Sequence, residues 1–168
     1  SFGNGYGPKL IKKKGKILKN NFKVALSGKW TTNAMIFKMK YKDARIVYKN
    51  FLEIEQSVLS GEVDAGVLIH ESILNFDSSL EVEAHLWDIW IDFIKDDLPL
   101  PLGGMAISRS IPLLRAIEIQ EILSDAVKIA VNNKKILSMM LENRVRVNKD
   151  ELDIYLDMYE NKDSTGVS

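Results

Sequence analysis

A histidine and a carboxylate, His70 and Glu71, close the run Gly61-Glu-Val-Asp-Ala-Gly-Val-Leu-Ile-His-Glu. Imidazole titrates near neutrality and therefore suits proton transfer. A second group, Ser27-Gly28-Lys29-Trp30-Thr31-Thr32-Asn33, gathers three hydroxyls and an amide where a helix is expected to begin. The first N–H groups of a helix lack intrahelical acceptors and carry partial positive charge, so such a turn receives carboxylates well. Plainer roles exist for each residue. A histidine at a strand end commonly serves as a hydrogen-bonded structural residue, Glu71 can cap the next turn, and Thr31 and Thr32 can cap the helix alone. One sheet edge carrying both groups would make them a site.

The elements that must position them follow from spacing. Phe22 to Ser27 reads as a strand, Thr31 as an N-cap, and Thr32 to about Tyr41 as a helix. Arg45 to Tyr48 is a second strand. Apolar residues at 51, 52, 54, 58 and 59 give helical spacing that Ser60-Gly61 ends. Asp64 to His70 is a third strand, apolar enough to be buried on both faces. This β-α-β-α-β order argues for parallel strands with right-handed crossovers, and ligands of such sheets sit at the strands' carboxyl ends. Further on come a strand at Glu81 to Leu86 and a helix from Trp87 to Lys95, with Trp87, Trp90, Ile91 and Ile94 on one face as a core stripe. Leu98 to Gly104 is extended because its prolines exclude helix. Met105 to Ser108 reads as a short strand. Ile111 to Leu141 reads as two helices breaking near Asn132-Asn133, Glu151 to Tyr159 as a third, and residues 161 to 168 as a frayed tail.

Composition excludes several classes. The 168 residues carry 23 basic and 23 acidic side chains, so net charge selects no partner. Thirteen basic residues fall before position 50, where Asp43 is the only acid. Lys12, Lys13, Lys14, Lys16 and Lys19 read as a solvated loop rather than a nucleic-acid surface, since no aromatic signature accompanies them. Cysteine is absent, which removes disulfides, thiolate metal sites and thiol nucleophiles. His70 and His85 lack metal-ligand spacing. No apolar run reaches the roughly 18 residues of a membrane span, and no signal peptide is evident. The expectation is a cytoplasmic protein without metal that meets neither nucleic acid nor membrane. The glycines of Gly3, Gly5 and Gly7 lack the spacing of a dinucleotide fingerprint and suggest a crossing.

Four segments occur in order: Gly5-Tyr-Gly-Pro8, Ser27-Gly-Lys-x-Thr31-Thr32, Gly61-Glu-Val-Asp-Ala-Gly-x-x-Ile69-His70-Glu71, and Leu98-Pro-Leu-Pro-Leu-Gly103. Together they resemble the 1,4-dihydroxy-6-naphthoate synthases of the futalosine route to menaquinone. The chorismate dehydratases of the same pathway share the architecture, but the Ile-His-Glu and Leu-Pro-Leu-Pro-Leu-Gly segments look like the naphthoate synthases. The resemblance implies an α/β fold of the type II periplasmic-binding-protein kind, two lobes joined by two hinge crossings. Residues 8–98 would form the second lobe and 99–168 the later part of the first, with 1–7 as one crossing. Against the family pattern, elements preceding the Gly-Tyr-Gly-Pro segment and a helix beyond Asn161 are missing. The first lobe is therefore expected to be incomplete and to need a second polypeptide or a homo-oligomer. The sequence also departs from the pattern at Asn33, Trp90 and Asp163.

The implied reaction converts cyclic dehypoxanthinylfutalosine into 1,4-dihydroxy-6-naphthoate by a lyase step that calls for no cofactor. Carbon–carbon cleavage needs a proton removed and charge on oxygen stabilised. This makes His70 the expected general base, with Ser27, Thr31, Thr32 and Asn33 contacting a substrate that bears a carboxylate. Glu71 is a doubtful orienting group, because neighbours on a strand face opposite ways. Two rivals stand beside this reading. One is a non-catalytic carboxylate-binding protein of the same fold, which has no use for His70. The other is a basic nucleic-acid-binding domain, resting on the early lysines alone.

Overall fold

The computed structural model describes residues 2–96, 98–142, 144 and 147–159. Its strands are β1 (Phe2–Gly3), β2 (Lys9–Lys13), β3 (Lys23–Leu26), β4 (Arg45–Tyr48), β5 (Ala65–Leu68), β6 (Leu80–His85) and β7 (Leu100–Pro101). Its helices are α1 (Thr32–Lys40), α2 (Ile54–Ser60), α3 (Leu86–Ile94), α4 (Leu113–Asn132), α5 (Lys134–Leu141) and α6 (Lys149–Tyr159). Residues 3–101 make one unit, and Phe2 with the chain from Leu102 onward belongs to another. Both boundaries fall beside the ribbon that β1 and β7 form by pairing.

In the unit of residues 3–101, five strands lie in the order β4-β3-β5-β2-β6. β3 runs parallel to β4 and to β5, as the alternation of strands and helices predicts. β2 lies antiparallel between β5 and β6, with Leu10 and Ile11 on opposite faces and both wholly buried. Right-handed crossovers on either side of β3 place α1 and α2 on opposite faces of the sheet. α1 packs with α3, and α2 packs over β5. Gly66 permits that second contact, since a Cβ there would stand 2.5 Å from Ile54 Cγ2 and 3.0 Å from Val58 Cγ2. α2 stops at Gly61, whose φ of 82° and bond from its N–H to Val58 O close the last turn.

Four expectations need correction. Lysines 12 and 13 belong to β2 rather than to a solvated loop. Lys12 Nζ reaches Glu83 at 2.6 Å and Glu81 at 3.6 Å across the β2–β6 pair, and Lys16 reaches Asp64 at 2.7 Å. Part of the early basic excess is thus offset by acids of residues 64–83, which weakens the nucleic-acid reading further. Met105 to Ser108 forms no strand, for the segment finds no pairing neighbour among the described residues. On α3 the buried positions are Leu86 and Ile89, while Trp87, Trp90, Ile91 and Ile94 are half-buried. There the Trp90 indole N–H donates to Leu98 O at 2.9 Å, which ties the extended segment to the helix. The third strand is shorter than expected, ending at Leu68.

In the other unit the helix break comes at Asn133, as predicted. Leu152 and Leu156 of α6 are buried, with Val147 just before it, and α5 packs on α6. α4 buries none of its residues. Residues 161–168 lie outside the described residues. No described helix is long and apolar enough to cross a membrane.

Candidate functional site

The register Val24 to Ala65 and Ala25 to Gly66 brings the carboxyl ends of β3 and β5 out side by side. Ser27 and His70 therefore leave the sheet at the same edge. β2 starts there too, because Lys9 pairs with Leu68, and β6 ends there, because Lys9 also pairs with His85. The connection after β4, which carries Phe51, emerges beside them.

The turn after β3 is held by its own polar groups. Thr31, at φ −98° and ψ 154°, caps α1, and its Oγ1 accepts from the Ala34 N–H at 3.4 Å. The same hydroxyl lies 2.8 Å from Gly28 O and 2.5 Å from Asn33 Oδ1, donating to one of them. Asn33 is buried, and its Nδ2 donates to Ser27 Oγ at 2.9 Å. Asn33 and Thr31 thus brace the turn. The Thr32 hydroxyl and the N–H groups of Thr32 and Asn33 have no protein acceptor or donor partner among the described residues. They are the donors this turn can offer a carboxylate.

Beyond Leu68 the chain enters a single 3-10 turn, His70–Ile73, so His70 and Glu71 sit on a turn rather than a strand. His70 has φ 54°, the left-handed region that side chains with a Cβ seldom adopt. Ile73 is buried, Leu74 N–H donates to Glu71 O at 3.0 Å, and Lys9 Nζ donates to Ile73 O at 2.7 Å. Burial pushes the Lys9 ammonium below the ordinary lysine value. The imidazole is exposed and meets the Phe51 ring edge-on, with centroids 5.2 Å apart and planes at 74°. Among the described residues no hydrogen bond joins it to Glu71, so the doubt over that carboxylate as an orienting group stands, now for a different geometric reason.

Sequence reasoning missed Phe51, Lys9 and His85 at this edge. Phe51 carried a signal, standing just past a strand parallel to β3. Lys9 and His85 carried none, since only the antiparallel insertion of β2 brings them here. A hollow of about 360 Å3 lined by Lys16, Lys19, Phe22, Arg45 and Asp64 lies at the opposite, amino-terminal edge. Its one carboxylate is already engaged: the Lys16 ammonium, and then the Lys23 N–H, hold the Asp64 carboxyl below the usual carboxylate range.

A family model described as menaquinone biosynthesis matches residues 1–166. A 1,4-dihydroxy-6-naphthoate synthase of Streptomyces coelicolor is 29% identical over 140 residues, covering 78% of this chain and 47% of that protein. The chain thus spans about half the length of this curated relative. Protein AF1704 of Archaeoglobus fulgidus superposes with a TM-score of 0.84 at 30% identity, over 99% of this chain and 62% of its own. The periplasmic aliphatic sulphonate binding protein SsuA of Escherichia coli gives 0.63 at 15% identity, over 90% of this chain and 55% of its own. That likeness shows the fold alone, which is the periplasmic-binding-protein kind.

Proposed function

Because this chain belongs to the menaquinone biosynthesis family, we propose that it carries the proton-transfer side of a cofactor-independent lyase of the 1,4-dihydroxy-6-naphthoate synthase type. Its substrate in this reading is cyclic dehypoxanthinylfutalosine, which is cleaved into 1,4-dihydroxy-6-naphthoate and the sugar-derived fragment. One observation carries most weight: β3 and β5 are adjacent and parallel, so the hydroxyl-bearing turn and His70 stand on one sheet edge. Thr32, with the free N–H groups of Thr32 and Asn33, receives the substrate carboxylate. Ser27, Thr31 and Asn33 keep that turn in shape. His70, exposed and without a hydrogen-bond partner among the described residues, takes the proton whose loss allows the ring system to become aromatic. Residues 8–98 serve as the second lobe, and 99–168 belong to the first.

The test is His70→Ala in the full-length protein, with substrate consumption and naphthoate formation followed together. Turnover should fall about 10²- to 10⁴-fold, the usual contribution of a positioned base. The circular dichroism spectrum should stay that of the wild type. Wild-type turnover in this variant removes His70 from the mechanism. Tight substrate binding by the wild-type protein without any consumption supports the non-catalytic carboxylate-binding alternative instead.

A further inference from the structure

We infer that Phe51 is a positioning residue for His70: its ring fixes the direction in which the imidazole presents its nitrogens. The inference rests on the assignment of His70 as base. Left-handed backbone at a residue other than glycine is strained and persists only where the surroundings enforce it. Here Ile73, buried below the turn, and the Lys9 bond to Ile73 O enforce it. Those contacts fix the Cα of His70 and the start of its Cα–Cβ bond. They do nothing for its two side-chain torsions. An exposed imidazole without a hydrogen-bond partner would otherwise turn freely among its rotamers.

Phe51 supplies the missing restraint. The edge-to-face arrangement at 5.2 Å and 74° is one that aromatic rings favour. Phe51 is itself only half-buried, so filling the core does not account for it. Its own backbone is held by Asn50, whose Oδ1 accepts from Leu52 N–H at 3.1 Å and whose carbonyl accepts from Glu53 N–H at 2.9 Å. The short 3-10 turn Phe51–Glu53 runs straight into α2. α2 in turn seats Ile54 and Val58 on Gly66 of β5, the strand that delivers His70. The two rings thus hang from the same end of one tightly packed helix–strand pair, Phe51 before the start of α2 and His70 after the end of β5. A base held this way presents one orientation to its substrate, and misplacement by about 1 Å can cost on the order of a hundredfold in rate.

The test uses the full-length protein with Phe51→Ala, Phe51→Leu and Phe51→Tyr. Phe51→Ala and Phe51→Leu should lower kcat about ten- to a hundredfold, with KM within about twofold of wild type because ground-state binding is untouched. Phe51→Tyr keeps the ring and should restore most of kcat. The imidazole signal that vanishes in His70→Ala identifies His70 in the proton spectrum, which then reads the contact directly. In Phe51→Leu the His70 signal should lose its ring-current displacement while the His85 signal stays in place. An unchanged kcat in Phe51→Leu overturns the inference, as does a fall in kcat with the His70 signal unmoved. If Phe51→Ala does not fold, the leucine and tyrosine variants carry the comparison alone. Wild-type turnover in His70→Ala is a separate outcome that overturns the base assignment, and it is read without altering Phe51.

Discussion

β2 and α4 treat their apolar residues in opposite ways. The strand has two, Leu10 and Ile11, and both are wholly buried. The helix has many more and buries none; Leu113 and Leu114 are 74% and 76% exposed. Apolar content therefore does not decide burial in this chain. What decides it is whether the fold brings a second surface alongside. β2 lies between two strands with α2 packed against it, whereas α4 meets little cover among the described residues. The sheet edge that carries His70 and Thr32 draws its rigidity from the first arrangement.

This contrast can be broken by measurement. Leu10→Ala should destabilise the unit of residues 3–101 by about 2–5 kcal/mol, the usual cost of a cavity in a closed core. Denaturant unfolding read from amide exchange in β5 gives that number, and a loss under about 1 kcal/mol would show the core to be loosely packed. Thr31→Ala should cost about 1 kcal/mol through the lost helix cap. It should also release Asn33, so the amide protons of Ala34 and Met35 should exchange faster while those of β2 do not. The smallest effect is expected where burial is absent. Ile122, 68% exposed on α4, should tolerate serine within about 0.5 kcal/mol. A large loss there would mean that α4 is covered in solution, and the contrast with β2 would fall.

Much of the parallel half of the sheet could be read from local signals. Thr31 as cap, Gly61 as stop, Arg45 to Tyr48 as strand and the break at Asn133 all depend on residues within a few positions of one another. β2 could not be read this way. Lys-Leu-Ile-Lys-Lys offers two apolar residues side by side, no alternation and three charges. The groups that make Lys12 tolerable in a sheet, Glu81 and Glu83, lie far along the chain. The family resemblance rested on the same local segments, and the match over residues 1–166 bears it out. It pointed to His70 and the threonine pair. It did not show that His70 opens a strained turn, because left-handed backbone at a histidine leaves no mark on composition. Nor did it show that Asn33 is occupied inside its own loop, which follows from buried hydrogen bonds rather than from residue type. Met105 to Ser108 failed for the converse reason: a strand-like string stays irregular when no neighbour pairs with it.

The insertion of β2 between β5 and β6 also sets the order in which this molecule can be built. During synthesis Leu10 and Ile11 leave the ribosome before either flanking strand, for β5 is complete only at Leu68 and β6 only at His85. Translation at roughly 5–20 residues per second leaves these side chains in water for several seconds. Sheets closed by such distant partners assemble slowly compared with helical bundles. The sheet edge bearing the imidazole is accordingly complete only when the last of the five strands arrives.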